Sequence, residues 1–249
     1  MQQSNTYVIV FSAILTIVLG VLLSGTSQVL GPLQKEAMAL DKKKQILGAV
    51  MSAEEVGKMS PEQVNEFYGK RISATVVDLA GNPVAGVQAE MVEVAKDYKK
   101  PAGERHYPVF TFHAEGNPDQ VESYIFPLYG AGLWDAIWGY LALNTDMNTI
   151  GGITLAHAAE TPGLGARITE TGVQARYVGK KIFDESGELI TVAMQKGEGK
   201  DYANDAHKVD GMSGATITGV GVNNMLKAYM GHYEAFIKSK SSSQALAGL

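Results

Sequence analysis

Nine residues, 210–218, form the stretch of this sequence best suited to hold a ligand. They read Asp-Gly-Met-Ser-Gly-Ala-Thr-Ile-Thr and precede a long segment with helical periodicity. Small residues let backbone N–H groups come close to a ligand, and the start of a helix offers unpaired N–H donors and the positive end of the helix dipole. We place the start of the helix near Gly219. The pattern therefore predicts an anion site, such as a phosphate seat, at Ser213, Gly214, Ala215 and Thr216.

An ordinary helix cap is the competing interpretation of the same residues. Ser and Thr are preferred at helix N-caps, and Gly is common in the loop before a helix. Residue types alone favour capping over ligand binding, so the anion site needs independent support. The helix itself is indicated by apolar residues at steps of three and four, which predict one buried face: Val222, Leu226, Tyr229, Met230, Tyr233, Phe236 and Ile237.

Two earlier stretches combine glycine with residues suited to a planar ligand. The first is Gly-Ala-Gly-Leu-Trp at 130–134, and the second is His-Ala-Ala-Glu-Thr-Pro-Gly-Leu-Gly at 157–165. Glycine- and proline-rich loops bring backbone groups close to a flat ring, and a large aromatic side chain can form its wall. Packing in the core is the competing role for Trp134, and it is the role we assign to Trp138.

Together, the three stretches resemble the FMN-binding domains of the C subunit of the sodium-translocating NADH:quinone oxidoreductase and of the G subunit of the related Rnf complex. They occur in the order seen in that family, and 213–216 resembles its flavinylation motif, Ser/Thr-Gly-Ala-Thr. Ala158–Ala159 departs from the family pattern, in which Gly or a charged residue more often precedes Glu. Length, a single anchor and the long insertion before Gly130 favour the C subunit over the shorter Rnf subunit.

The resemblance implies a covalently bound FMN. In the family, the last Thr of the motif is esterified to the FMN phosphate; here this residue is Thr216, and Thr218 lies outside the motif. A threonine hydroxyl needs a base or a metal to attack a phosphoryl group. The resemblance implies that a separate Mg-dependent flavin transferase attaches the flavin from FAD and reads Asp210. No catalytic residue is expected in this chain. The isoalloxazine ring would be lined by Trp134, Glu160, Thr161, Gly163 and Leu164.

Composition and spacing argue against several other kinds of site. The chain has no cysteine, which excludes disulfides and cysteine-ligated iron–sulfur clusters. Its formal net charge is −5 and no Lys/Arg cluster alternates with aromatic residues, so we expect no nucleic acid partner. The histidines lack metal-ligand spacing, and residues 219–224 have Asn where a dinucleotide fingerprint has its third Gly. We expect neither a metal nor NAD on this chain.

The amino-terminal segment predicts a membrane anchor. Residues 7–23 carry no charge and the uncharged run continues to Leu33, which is long enough to cross a bilayer core of ~30 Å. A cleaved signal peptide is the alternative, but residues 1–6 hold no Lys or Arg and no Ala-x-Ala site follows the apolar run. We therefore assign 1–6 to a short tail and 7–30 to a transmembrane helix.

Two arguments disagree about the orientation of this anchor. Lysines follow the span and none precedes it, so the positive-inside rule places the large domain in the cytoplasm. The family instead exposes its flavin domain on the outer side of the inner membrane. We follow the family and expect a single-pass protein of the bacterial inner membrane, with a periplasmic flavin domain bound to the other subunits of the oxidoreductase complex.

The remaining sequence predicts short helices followed by a sheet-rich domain. Residues 31–70 form a helical connector with capping boxes that start at Ser52 and Ser60. Residues 71–238 form the FMN-binding domain, and 239–249 a flexible tail. Apolar and β-branched runs bounded by turn residues predict strands at 72–79, 84–94, 109–112 and 121–128 and a hairpin of 175–183 with 188–194.

The fold class is therefore α+β: one transmembrane helix, a single sheet-rich FMN-binding domain and a C-terminal amphipathic helix. The implied function is that of an electron-carrying subunit of a membrane NADH:quinone oxidoreductase that exports sodium, with FMN bound covalently to Thr216. The chain would be part of an enzyme without a complete active site of its own. The alternatives are an Rnf-type G subunit and a non-redox extracytoplasmic binding or assembly module, in which the loop at Ser213 only caps the helix.

Overall fold

The computed structural model of the chain describes residues 4–247, with side chains described for 4–242. The chain divides into two compact units, Met1–Lys42 and Lys43–Leu249. The first helix, α1, spans Asn5–Gly48, so the predicted anchor and the start of the predicted connector form one helix. In the first unit the apolar side chains of α1 are exposed, and by length and composition alone this helix could cross a membrane.

Two short capped helices follow α1. The helix α2 spans Ala53–Lys58 and α3 spans Pro61–Arg71. Ser52 accepts a hydrogen bond from the N–H of Glu55, whose carboxylate accepts one from the N–H of Ser52 in return. The cap of α3 has the same reciprocal pair, with proline at its first helical position. Both predicted capping boxes are confirmed.

Five strands form an antiparallel sheet in which each strand pairs with the next along the chain. Because β3 and β5 both flank β4, the loop after β3 and the loop after β5 lie at the same end of the sheet. Three predicted strands are confirmed: 72–79 as β1, 109–112 as β2 and 121–128 as β3. The strands are β1, Ile72–Val77; β2, Tyr107–Ala114; β3, Asn117–Ala131; β4, Ala136–Asn144; and β5, Ile150–His157.

The strand predicted at 84–94 is wrong. After a single bridge at Pro83, the chain reaches Gly86 with a φ of +78°, and this left-handed backbone ends the extended run. A 3₁₀ turn at Ala89–Met91 and the short helix α4, Val94–Asp97, follow. The alternation of apolar residues in this segment therefore does not produce a strand.

The hairpin predicted at 175–194 is also wrong. One bridge, from Phe183 to Leu189, joins the two arms of this described segment, whereas Lys181 bridges to Thr149 outside it. Positive φ angles at Gly179 and Thr191 interrupt the arms. Side chains and loops replace the expected ladder. The elements of the region are α5, Thr171–Gln174; a 3₁₀ turn, Ala175–Tyr177; and the strands β6, Ala193–Met194, and β7, Lys208–Val209, which pair in parallel.

The C-terminal helix, α6, packs against the sheet. It spans Thr216–Ala247, so it starts before the predicted Gly219 and continues past Ser239, where we expected a tail. The ring of Tyr233 lies 4.9 Å from that of Phe126 on β3. The sheet with its C-terminal helix confirms the α+β fold. The predicted buried face of α6 is also confirmed, because every residue of the stripe is buried: Val222, Leu226, Tyr229, Met230, Tyr233, Phe236 and Ile237.

Candidate functional site

The loop 210–215 turns the chain into α6 and points two threonine hydroxyls in different directions. Gly214 has a φ of +74°, a backbone conformation that glycine adopts without strain. Thr216 is the first residue of α6 and is exposed, whereas Thr218, in the same turn, is 1% exposed. The first turn of a helix also leaves N–H groups without intrahelical acceptors. Of the two hydroxyls, that of Thr216 is the one available to a ligand or to another protein.

Glu160 joins three segments near this loop. Its side chain is buried, and Oε1 accepts hydrogen bonds from the backbone N–H groups of Leu133 and Trp134, at 2.8 and 3.1 Å. Oε2 accepts a hydrogen bond from the hydroxyl of Thr218 at 2.6 Å. One carboxylate therefore ties the loop after β3 and the loop after β5 to the first turn of α6.

Large apolar side chains remain exposed at the same corner of the molecule. Trp134 is 68% exposed and Leu164 is 41% exposed. The indole N–H of Trp134 donates to the hydroxyl of Thr161 at 3.2 Å. Leu164 lies against Gly214, where an added Cβ would stand 2.7 Å from Leu164 Cδ2. Apolar side chains beside a hydroxyl at a helix start suit a ligand with a flat ring and an anionic end.

The structure brings the sequence-predicted site residues to one corner but gives them different environments. Glu160 and Ala215 are buried, so they shape the corner from within. Trp138 lies outside it, half-buried, and its indole N–H donates to Gln45 Oε1 at 3.2 Å. The exposed members of the predicted set are Trp134, Thr161, Gly163, Leu164, Ser213, Gly214 and Thr216.

A charged cluster holds the loop before α6. The carboxylate of Glu198 accepts two hydrogen bonds from Arg167, at 2.7 and 2.9 Å, one from Arg176 at 3.3 Å, and one from the N–H of Ser213 at 3.1 Å. These donors, Arg167 first among them, lower the pKa of Glu198 from 4.5 to about 2. Glu198 is therefore charged at neutral pH and fixes the backbone at Ser213.

Asp210 also has a role inside the loop. Its carboxylate accepts hydrogen bonds from the N–H groups of Gly199 and Lys200, at 2.7 and 3.1 Å. Its backbone carbonyl accepts one from Arg176 at 3.0 Å. Recognition of Asp210 by a flavin transferase stays a prediction, and these bonds show that its carboxylate shapes the loop as well.

Comparison with known proteins identifies the family. A family model described as the FMN-binding domain matches residues 132–231, which include Trp134, the loop after β5 and the motif at 213–216. The C subunit of the Na(+)-translocating NADH-quinone reductase of Pseudomonas aeruginosa is 31% identical to this chain, over 98% of the chain and 99% of the relative. This chain belongs to that C-subunit family. The resemblance drawn from the three motifs is confirmed, and this relative is named as a C subunit of the reductase.

Solved structures agree with this assignment. A crystal structure of the reductase's C subunit from Parabacteroides distasonis is 38% identical and has a TM-score of 0.71, covering 84% of this chain and 96% of that chain. NqrC from Shewanella oneidensis has the same TM-score, covering 83% of this chain and 99% of its own. At 24% identity, this second likeness shows the shared fold alone. The sheet-rich unit with its C-terminal helix is thus the fold of the C-subunit family.

Sequence reasoning missed three residues that organise this corner of the C-subunit fold. It set Thr218 outside the motif; a helix start at Thr216 is what places Thr218 on the inward side of the first turn. Arg176 lies in the predicted hairpin and Glu198 in the polar segment that follows it, and no local pattern indicates that they meet. Glu198 stands between Lys196 and Lys200 in the sequence, so its charge alone does not single it out.

A groove elsewhere in the chain shares no residue with this corner. It has a volume of about 730 Å³ and lies between α3 and the turn that joins β2 to β3. In the part of the chain that the structure describes, no group of three or more His, Cys, Asp or Glu residues is arranged to hold a metal. The candidate site is therefore the exposed corner at Thr216.

Proposed function

We propose that this chain is the electron-carrying subunit of a Na(+)-translocating NADH:quinone oxidoreductase, with one FMN esterified through its phosphate to the hydroxyl of Thr216. The observation that carries the proposal is the position of this hydroxyl. Thr216 is exposed at the first position of α6, in a motif of the flavinylation type, at the corner where Trp134 and Leu164 are also exposed. The FMN-binding family model and the named relatives support the cofactor.

The residues of the corner fit the two ends of FMN. At the phosphate end, the first turn of α6 supplies N–H donors and the positive end of the helix dipole, and Ser213, Gly214 and Ala215 lead into it. At the ring end, Trp134 and Leu164 offer an apolar wall, with Thr161 and Gly163 beside them. Glu160 would act from beneath this wall, because its carboxylate is buried. The bound flavin supplies the redox chemistry, and the protein fixes its orientation.

Attachment of the flavin needs a second protein. A phosphoester bond forms between the Thr216 oxygen and the FMN phosphate, the phosphoanhydride bond of FAD breaks, AMP leaves, and the hydroxyl gives up its proton. A threonine hydroxyl is too weak a nucleophile to do this unaided. Glu160, the carboxylate bonded to the first turn of α6, is occupied by Thr218 and not by Thr216. A Mg-dependent flavin transferase would therefore supply the base and the metal.

We further propose that α1 anchors the chain in the bacterial inner membrane, with the flavin-bearing unit in the periplasm and the other subunits of the complex as partners. The lysines that follow the apolar run favour the opposite side, so orientation needs its own test. Because the chain has no cysteine, Lys99→Cys gives a single labelling site on an exposed position. A membrane-impermeant maleimide should label it in spheroplasts; labelling only after lysis would place the unit in the cytoplasm.

The covalent link is tested by weighing the intact chain after expression with and without a flavin transferase. The wild-type chain should gain one FMN moiety with the transferase and none without it. Thr216→Ala should gain none, and Thr218→Ala should still gain one, because its hydroxyl is buried. Flavin on Thr216→Ala would move the acceptor to another hydroxyl. A wild-type chain that never gains flavin would favour the non-redox binding or assembly module.

A further inference from the structure

Thr218 and Glu160 form a buried hydrogen-bonded pair beneath the proposed flavin site. They are 1% and 4% exposed, and their oxygens are 2.6 Å apart. The other hydrogen bonds to the carboxylate come from the N–H groups of Leu133 and Trp134, so its described donors are all neutral. A buried carboxylate held by a few neutral donors depends on each of them, because an unmet acceptor in the interior is costly. The Thr218 hydroxyl is therefore a necessary part of this contact.

The surrounding chain leaves space for the carboxylate by having glycine on two sides of it. A Cβ added to Gly132 would overlap Oε1 of Glu160. A Cβ added to Gly165 would overlap Oε2 and would stand 2.5 Å from the hydroxyl oxygen of Thr218. Neither glycine has a positive φ, so space and not backbone conformation accounts for glycine at these positions. The loop after β3 and the loop after β5 are thus both built around this buried pair.

We infer that Thr218 is a positioning residue for the flavin that acts through Glu160. Thr216 and Thr218 share the first turn of α6, Thr218 donates to Glu160, and Glu160 accepts from the N–H groups of Leu133 and Trp134. Two consecutive hydrogen bonds therefore fix the backbone of Trp134 relative to the turn that carries Thr216. With the phosphate held at Thr216, this linkage sets how the isoalloxazine ring meets the indole. The inference rests on the proposed function.

Loss of the Thr218 hydroxyl should change the surroundings of the ring without preventing attachment. Attachment needs the exposed hydroxyl of Thr216, which lies on the opposite side of the turn from Thr218. Without its donor, Oε2 of Glu160 has an unmet acceptor in the interior, and the carboxylate no longer connects Trp134 to α6. The ring would then contact a wall that is less fixed and more open to water.

The test uses the full-length chain, co-expressed with a flavin transferase, in three variants. Thr218→Val keeps the shape of the side chain but removes its hydroxyl, and Thr218→Ser keeps the hydroxyl. Thr154→Val is the matched control. The hydroxyl of Thr154 donates to the carbonyl of Gln45 at 3.0 Å, and this contact includes no residue of the loop after β3, the loop after β5 or the loop 210–215. For each protein, the readouts are intact mass, native flavin fluorescence, the absorption spectrum and the midpoint potential.

All variants should carry one FMN. Because a stacked tryptophan quenches flavin fluorescence, Thr218→Val should show several-fold brighter native flavin fluorescence, with a shifted absorption band and midpoint potential. Thr218→Ser and Thr154→Val should match the wild type. If Thr218→Val does not fold, Thr218→Ala removes the same hydroxyl with less bulk and is measured in the same way.

Three outcomes would overturn the inference. Wild-type fluorescence, spectrum and potential in Thr218→Val would show that the hydroxyl does not position the ring, while the proposed function would stand. The same change in Thr154→Val would indicate general loosening of the fold. Loss of attached flavin from Thr218→Val would give the hydroxyl a role in attachment instead. A wild-type chain that gains no flavin would contradict the proposed function itself.

Discussion

The sheet with α6 and the segment 175–215 are stabilised in different ways. In the first region, backbone groups pair with each other and large apolar side chains fill the space, as Tyr233 does against Phe126. In the second region, charged side chains bind backbone carbonyls. Arg176 donates to the carbonyls of Asp210 and Gly211, and the buried ammonium of Lys180 donates to those of Tyr202 and Asp205. Segment 175–215 also contributes buried apolar side chains to the core, such as Tyr177 and Val209, and adds these polar cross-links to them.

The proposed attachment residue stands where the two regions meet. Thr216 begins α6, which belongs to the packed region, and directly follows the loop 210–215, which belongs to the cross-linked one. The helix gives a fixed platform with a dipole, whereas the loop can follow an irregular path that exposes its backbone. A ligand site at this junction would take its position from the rigid helix and its access from the irregular loop.

The largest effect is expected in the packed region. Phe126→Ala should lower the free energy of unfolding by about 3–5 kcal/mol, because the ring is fully buried and its loss leaves a cavity beneath α6. Urea titration of the purified chain, followed by tryptophan fluorescence, measures this change. Phe67→Ala is the control, since Phe67 is only partly buried and should cost less. Equal losses would show that burial against α6 is not what stabilises this region.

Regular periodicity made part of the packed region predictable. The stripe of α6 recurs at helical spacing, and β1, β2 and β3 contain β-branched or alternating runs bounded by turn residues. Local spacing does not predict the strands β4 and β5. Glycines at 139, 151 and 152 interrupt their apolar pattern, although these positions lie inside the strands. Pairing with neighbouring strands, which local spacing does not reveal, sets their structure.

The cross-linked region could not be predicted, because its contacts join residues far apart in sequence. The apolar runs on either side of the turn at 184–187 indicate a hairpin. In the structure, however, Asn148 Oδ1 accepts hydrogen bonds from the N–H groups of Ile182 and Phe183, as a partner strand would. No local pattern points to Asn148. The distant side chain therefore replaces the expected ladder.

The candidate site also has a part that the sequence predicts and a part that it does not. Motifs located Thr216, Trp134 and the loop after β5, because these residues stand in recognisable short sequences. The resemblance predicts that Glu160 lines the ring, and that contact stays a prediction. The structure adds that its carboxylate faces the interior and binds Thr218. The inward direction of a side chain depends on tertiary packing, which a motif does not encode.

A smaller effect is expected from Arg176 in the cross-linked region. Lysine has one point charge in place of the planar fork that reaches two carbonyls and Glu198, so Arg176→Lys should lose part of these contacts. We expect a loss of about 1–3 kcal/mol in the free energy of unfolding and slower gain of flavin by the chain, because the loop before Thr216 is less fixed. Urea titration and a time course of intact mass with the transferase measure the two effects.

Arg105→Lys is the matched control for this change. Arg105 donates to the carbonyl of Lys100 on an exposed part of the chain, outside the candidate site. It should leave the rate of flavin attachment at the wild-type value. If Arg176→Lys also gains flavin at the wild-type rate, the contacts of Arg176 stabilise the segment 175–215 but do not prepare the loop 210–215 for attachment. The difference between the two regions would then concern stability and not flavin attachment.

The smallest effect should come from Glu198, and it should depend on pH. Hydrogen bonds from Arg167, the N–H of Ser213 and Arg176 lower the pKa of its carboxyl from 4.5 to about 2. A carboxyl with a depressed pKa binds protons less readily in the folded chain than in the unfolded chain, so it stabilises the fold fully above pH 4.5. That contribution disappears as the pH falls toward 2. Glu198→Gln should therefore be less stable than the wild type at neutral pH, with a difference that shrinks in acid.

Unfolding midpoints of both proteins at a series of pH values from neutral to strongly acid measure this convergence. Glu185→Gln, an exposed position in the turn at 184–187, controls for the loss of one negative charge. If the difference in unfolding midpoint between the wild type and Glu198→Gln stays constant across the series, the stabilisation does not depend on ionisation of Glu198. The charge of Glu198 would then not be what fixes the loop. Convergence restricted to Glu198→Gln would show that the charge of Glu198 stabilises the loop that leads to Thr216, in addition to the burial of Met212 and Ala215.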